Sequence, residues 1–193
     1  LSAPADAITT RAKQDGTTVT TSSSDTASQG ASAAKNADVA IVFITADSGE
    51  EYITVENNVG DRNDLNAWHS GNDLVKAVAN VNKNTIVVVH TVGPILLESF
   101  ADLDNVKAIV WAGLPGQEAG NALVDVLYGA VSPSGRLPYT IAKSASNYGT
   151  TIQANTDSFS EGLYIDYRYI DKNKVAPRYE FGYGLSEYPS DFE

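Results

Sequence analysis

Acidic side chains crowd one stretch of this sequence. Residues 45–56 read Thr45-Ala46-Asp47-Ser48-Gly49-Glu50-Glu51-Tyr52-Ile53-Thr54-Val55-Glu56, and the stretch runs on to Gly60-Asp61-Arg62. Three chemistries are open to such a group. A sugar ring can stack on the tyrosine while one acid protonates a glycosidic oxygen. A hard cation can be held by clustered carboxylates, although the spacing matches no EF-hand loop. Or the acids form a solvated surface, which is where acids are commonest.

Other reactive side chains offer less. His90 ends an apolar run and reads as a satisfied core residue, and His69 sits in a polar turn. Glu118 falls in the first turn of an expected helix, where the helix dipole favours a carboxylate. Asp61 and Arg62 read as a neighbouring ion pair that pins the acidic loop. Gly182-x-Gly184 lacks the strand-before, helix-after context of a dinucleotide site, and no Gly-x-x-x-x-Gly-Lys phosphate cradle occurs. No nucleophile elbow supports Ser-His-Asp chemistry. With no Cys, thiolate nucleophiles and thiolate metal sites are excluded. Neither a metal nor a cofactor is expected.

The acidic stretch follows an apolar run, and that run indicates what must position it. Residues 38–44, 85–89 and 106–111 are near-continuous apolar segments of strand length. Continuous runs suit a sheet covered on both faces. Leu74, Ala77, Val78 and Val81 lie on one face of a helix, as do Ala119, Leu123, Val126 and Leu127. This alternation predicts an α/β fold: a mostly parallel sheet sandwiched between helices, with room for one antiparallel strand. Ligands of such sheets collect at the carboxyl ends of the strands, where the acidic stretch lies. Pro4 to Gln14 and Gln29 to Asn36 are expected as helices and Thr17 to Thr21 as an edge strand. Partial alternation over 159–169 suggests a late strand or an extended wrapping segment.

The whole chain has 193 residues, enough for one domain with a sizeable core, and 42% of them are hydrophobic. It carries 24 Asp+Glu against 13 Lys+Arg, a net charge of −11. Such a chain repels phosphate backbones and anionic lipid, so neither nucleic acid nor a membrane is an expected partner. It contains no Met, so Leu1 is not a translation start; a processed chain or a piece of a longer one is expected.

Several stretches carry a resemblance. Residues 36–52 (NADVAIVFITADSGEEY), 60–65 (GDRNDL), 84–94 (NTIVVVHTVGP), 108–127 (AIVWAGLPGQEAGNALVDVL), 158–168 (SFSEGLYIDYR) and 177–186 (PRYEFGYGLS) resemble fungal β-glucosidases of glycoside hydrolase family 3, in the family's order. The resemblance implies a retaining enzyme in which a (β/α)8-type barrel precedes an α/β sandwich and a fibronectin-like domain follows. It assigns residues 1–185 to the sandwich, without its first strand, and 186–193 to the start of a linker. An Asp nucleophile would come from the absent barrel. The acid/base of the family, a Glu within Ser-Gly-Glu-Gly-Tyr, maps to Glu50, and the tyrosine near the aglycone subsite maps to Tyr52. Glu51 departs from the family pattern by standing where glycine is usual. The implied substrate is cellobiose or a similar β-glucoside or cello-oligosaccharide, the implied location extracellular after secretion. Alone, the chain would be inactive. The competing expectation is a non-catalytic carbohydrate-binding or interaction module on the same fold; a flavodoxin-like regulatory domain is disfavoured by the missing phosphate cradle.

Overall fold

The computed structural model describes residues 1–151 and 158–185. Five strands occur among them: β1 (Ala40–Ala46), β2 (Thr54–Val55), β3 (Asn58–Val59), β4 (Thr85–Thr91) and β5 (Val106–Trp111). The helices are α1 (Pro4–Gln14), α2 (Ala27–Ala34), α3 (Gly71–Ala79), α4 (Ala119–Leu127) and α5 (Tyr167–Lys172). A short 3-10 turn, Ala145–Tyr148, precedes α5.

The three apolar runs form one parallel sheet in the order β1-β4-β5, and β2 and β3 form a separate antiparallel hairpin. β4 is central. Its Val87, Val88 and Val89 are fully buried, which is why that run is continuously apolar. β1 is an edge strand and alternates between buried and half-buried residues.

Alternate side chains of the sheet feed two cores. On one face Val42, Ile44, Val87 and Val89 pack with Ala34 of α2 and Leu74, Val75 and Val78 of α3. On the other, Val88 packs with Ile8 of α1 and Leu123 of α4, flanked by Ile41, Phe43 and Val110. Helices therefore cover both faces, as the apolar runs demand. Pro4 opens α1, where its missing N–H costs nothing. Ser2 ties α1 to α4: its N–H donates to Gln117 O at 2.8 Å and its carbonyl accepts from Gly120 N–H at 2.9 Å. Buried Asn82 closes the other face. Its amide donates to the carbonyls of Ala34 and Ala37 at 3.0 and 2.7 Å, at the end of α2.

Two expectations are corrected. Thr17 to Thr21 forms no strand. A cleft of about 300 Å3, lined by Thr20, Ser22, Asp25, Val39 and Ile41 among others, separates this segment from the free edge of β1. Without a ladder partner an extended segment is not a strand. Residues 159–169 are not a strand either: turns lead into α5, which buries Ile170. The antiparallel pairing in this region is a single bridge between Ile141 and Tyr179. The expected linker, 186–193, lies outside the described residues. No helix of the described residues is long and apolar enough to cross a membrane.

Candidate active site

The chain leaves β1 at its carboxyl end and makes two successive tight turns before α3. In the first, Ile53 N–H donates to Glu50 O at 2.8 Å, closing Glu50-Glu51-Tyr52-Ile53. Glu51 has φ +49° and Tyr52 does not share the positive sign. That is the pattern of a type II′ turn, which favours glycine at its first central position. In the second, β2 and β3 are joined by Glu56 and Asn57, both with positive φ, as a type I′ turn requires.

Backbone bonds fuse the two turns into one platform. Gly49 N–H donates to Gly60 O at 3.0 Å, and Gly60 N–H to Ile53 O at 3.1 Å. A Cβ on Gly49 would lie 2.1 Å from Ile53 O and 2.8 Å from Gly60 O, so no other residue fits there. Asn58 is a hub. Its Nδ2 donates to the carbonyls of Gly60 and Asp61 at 3.1 and 2.9 Å, and its Oδ1 accepts from Asn63 Nδ2 at 2.8 Å.

Glu50 and Tyr52 are brought together on the tip of this platform, two residues apart in one turn. Glu50 is exposed and Tyr52 is 85% exposed. Among the described residues, no hydrogen bond or ion pair engages the Glu50 carboxylate, which is therefore free to meet a ligand. The neighbouring acids differ. Asp47 Oδ1 accepts from Ser48 N–H at 2.8 Å. Glu56 lies 2.9 Å from His69 Nε2, and the other imidazole nitrogen lies 3.7 Å from Asp25. The acids do not converge on a cation: no group of three or more His, Asp or Glu among the described residues could hold a metal ion.

The expected Asp61–Arg62 ion pair does not form. Arg62 turns inward instead. Its Nη2 donates to Pro94 O at 2.9 Å and its main-chain N–H donates to Ser48 Oγ at 3.1 Å. Burial pushes its guanidinium below the ordinary value, while Tyr139, Asp64 and Tyr148 push it back up. The sequence named Arg62 as a pin of the loop but with the wrong partner, and Ser48 and Asn58 escaped as pins altogether. The signal for Arg62 was that it is the one Arg or Lys between residues 47 and 70. Ser48 and Asn58 carry no such mark. His90 stacks on Phe43 with centroids 6.2 Å apart, and burial lowers its pKa, as for a core imidazole. Glu118 lies not in the first turn of α4 but just before it, as the N-cap residue; its carboxylate accepts from Asn121 Nδ2 at 2.6 Å and caps no backbone N–H.

A parallel sheet with helices on both faces, and a free carboxyl beside an aromatic ring outside its strand ends, define an α/β domain with its candidate site where such sheets hold ligands. The model of the Glycosyl hydrolase family 3 C-terminal domain matches residues 1–187, and the chain belongs to that family. It is 65% identical over 188 residues to "Probable beta-glucosidase L" of Aspergillus terreus, covering 96% of this chain and 26% of that protein. It is 58% identical to a "Beta-glucosidase" of Schizophyllum commune, covering 94% of this chain and 98% of that sequence. The crystal structure of beta-D-glucoside glucohydrolase from Trichoderma reesei superposes with a TM-score of 0.95 at 64% identity, over 98% of this chain and 27% of that one. The chain thus spans about a quarter of the length of the first and last of these.

Proposed function

We propose that this chain is the acid/base-bearing domain of a retaining β-glucosidase that removes terminal β-D-glucosyl residues from cellobiose and similar β-glucosides. Glu50 is the acid/base, Tyr52 is the aromatic wall on the aglycone side, and an Asp nucleophile comes from a barrel domain outside this chain. The observation that carries the reading is the Glu50–Tyr52 tip: an unengaged carboxyl and an exposed ring on one hydrogen-bonded turn. The relatives' printed names supply the substrate class. The acidic balance suits an extracellular enzyme.

In the first step Glu50 gives its proton to the glycosidic oxygen as the nucleophile takes the anomeric carbon. In the second, the Glu50 carboxylate takes a proton from the water that releases glucose. The test is Glu50→Gln in the full-length enzyme. For cellobiose, whose leaving group needs a proton, kcat/KM falls by about 10²–10⁴. For a dinitrophenyl glucoside, whose phenol leaves unaided, kcat/KM changes little, and azide restores turnover as β-glucosyl azide. An equal loss on both substrates, without azide rescue, refutes the assignment.

A further inference from the structure

The platform that carries Glu50 is tied to the sheet through one cation. Arg62 Nη2 reaches the Pro94 carbonyl, just beyond β4, at 2.9 Å. The main-chain N–H of the same residue binds Ser48 Oγ at 3.1 Å, and that hydroxyl donates to Gly49 O at 3.0 Å. Gly49 precedes Glu50. A three-residue path therefore joins the end of β4 to the backbone of the candidate acid.

The far anchor of this path is itself fixed. Val92 N–H donates to Ala46 O at 3.0 Å, and Thr91 Oγ1 donates to Gly93 O at 3.0 Å. Gly93 has φ +71°, and a Cβ there would come within 3.3 Å of Arg62 Nη2, so its missing side chain makes room for the guanidinium.

Stability does not account for an arginine here. Its Nη1 is buried with no hydrogen-bond partner among the described residues, and no carboxylate there pairs with it. A charge left without an ion partner is weakly stabilising at best, and a neutral side chain of similar volume would serve as well. What a guanidinium adds is a rigid, planar donor at the end of a long stem. We propose that Arg62 is the positioning residue of the acid–base platform, locking it through Ser48 and Pro94 in the register that presents Glu50 to the glycosidic oxygen. The proposal rests on the reading of Glu50 given above. Displacement of a reacting group by about 1 Å can cost ~10²-fold in rate.

A positioning defect and a stability defect leave different traces. In the full-length enzyme, Arg62→Met keeps the apolar stem and removes the donors, and Ser48→Ala removes the hydroxyl link alone. Each is measured for kcat/KM over aryl and alkyl β-glucosides of falling leaving-group acidity, beside a melting curve. Misplacement of an acid hurts poor leaving groups most. The expected loss is ~30–100-fold for cellobiose and under ~3-fold for a dinitrophenyl glucoside. A loss equal across the series, or none, in both variants overturns the proposal. If Arg62→Met does not fold, Ser48→Ala decides alone by the same criterion. Glu50→Gln on the same series separates the two claims. A steep Glu50→Gln series beside flat Arg62→Met and Ser48→Ala series refutes only the positioning role. A flat Glu50→Gln series refutes the acid/base reading, and the positioning role with it.

Discussion

Glu51 stands where the resemblance leads one to expect glycine, and the structure holds it in a conformation that glycine takes more readily. It occupies the first central position of a turn with φ +49°. A side chain in the left-handed region costs about 1–2 kcal/mol. Glycine removes that strain but adds about 0.4–1 kcal/mol of unfolded-chain freedom. The strain is the larger, so Glu51→Gly is expected to stabilise by about 0.5 kcal/mol and raise Tm by about 1–2 °C. Differential scanning calorimetry on the two proteins checks this. A fall in Tm would mean that the Glu51 side chain contributes more than its exposed position accounts for. The same residue explains why the turn was hard to read beforehand. Asn-Gly or Gly-x is the usual mark of such a hairpin, and here Glu51 and Glu56-Asn57 take the positive-φ places instead. The acids of residues 47–56 were legible as a chemical group; the double hairpin that arranges them was not.

At the scale of elements, the segment beyond α5 is held to the rest by a four-bond clamp. Arg178 donates to both carboxylate oxygens of Glu98 and both of Asp102; the Nη contacts measure 2.7 and 2.8 Å. These bonds hold both carboxyls below their ordinary values and push the arginine up. A depressed carboxylate stabilises above its unfolded pKa, and the contribution is lost as pH falls through the folded value. Arg178→Ala is therefore expected to lower Tm by about 2–4 °C at pH 7, and the gap should narrow as pH falls below the ordinary carboxylate range and through the depressed folded values. Melting curves at pH 7, 5 and 3 test the sign; a gap that widened on acidification would rule the clamp out as the cause. Elements defined by composition were legible in advance. The apolar runs of β1, β4 and β5 are local facts, and boundaries moved by only a few residues; of the expected face of α3, Leu74 and Val78 are buried, while Val75 and Ala79 take the places given to Ala77 and Val81. Residues 159–169 misled because alternation over a few positions is also what a turn with a single buried contact produces; Ile170 alone anchors α5. The clamp itself joins residues about 80 apart, and no local pattern marks such a partner.

For the whole molecule, the decisive point is what Glu50 lacks. A retaining glycosidase typically needs two carboxyls ~5–5.5 Å apart. The acids nearest to Glu50 in sequence are already committed or constrained: Asp47 binds Ser48 N–H, Glu56 pairs with His69, and Glu51 is the adjoining residue of the same turn. None has the freedom of a nucleophile facing Glu50 across a sugar. The chain alone is thus expected to leave an aryl β-glucoside intact, even one with an acidic phenol that needs no proton. Co-expression with a polypeptide carrying the barrel is expected to restore hydrolysis, and for a weakly acidic phenol to do so in a Glu50-dependent way. The measurement is phenol release by the chain alone, by the mixture, and by the mixture with Glu50→Gln. Glu50-dependent release by the chain alone would place both carboxyls inside these 193 residues and overturn the two-domain site. Calorimetric titration with cellobiose distinguishes the other class of function. A binding module should hold the sugar without the barrel, whereas a lone catalytic half, offering one exposed tip, should not.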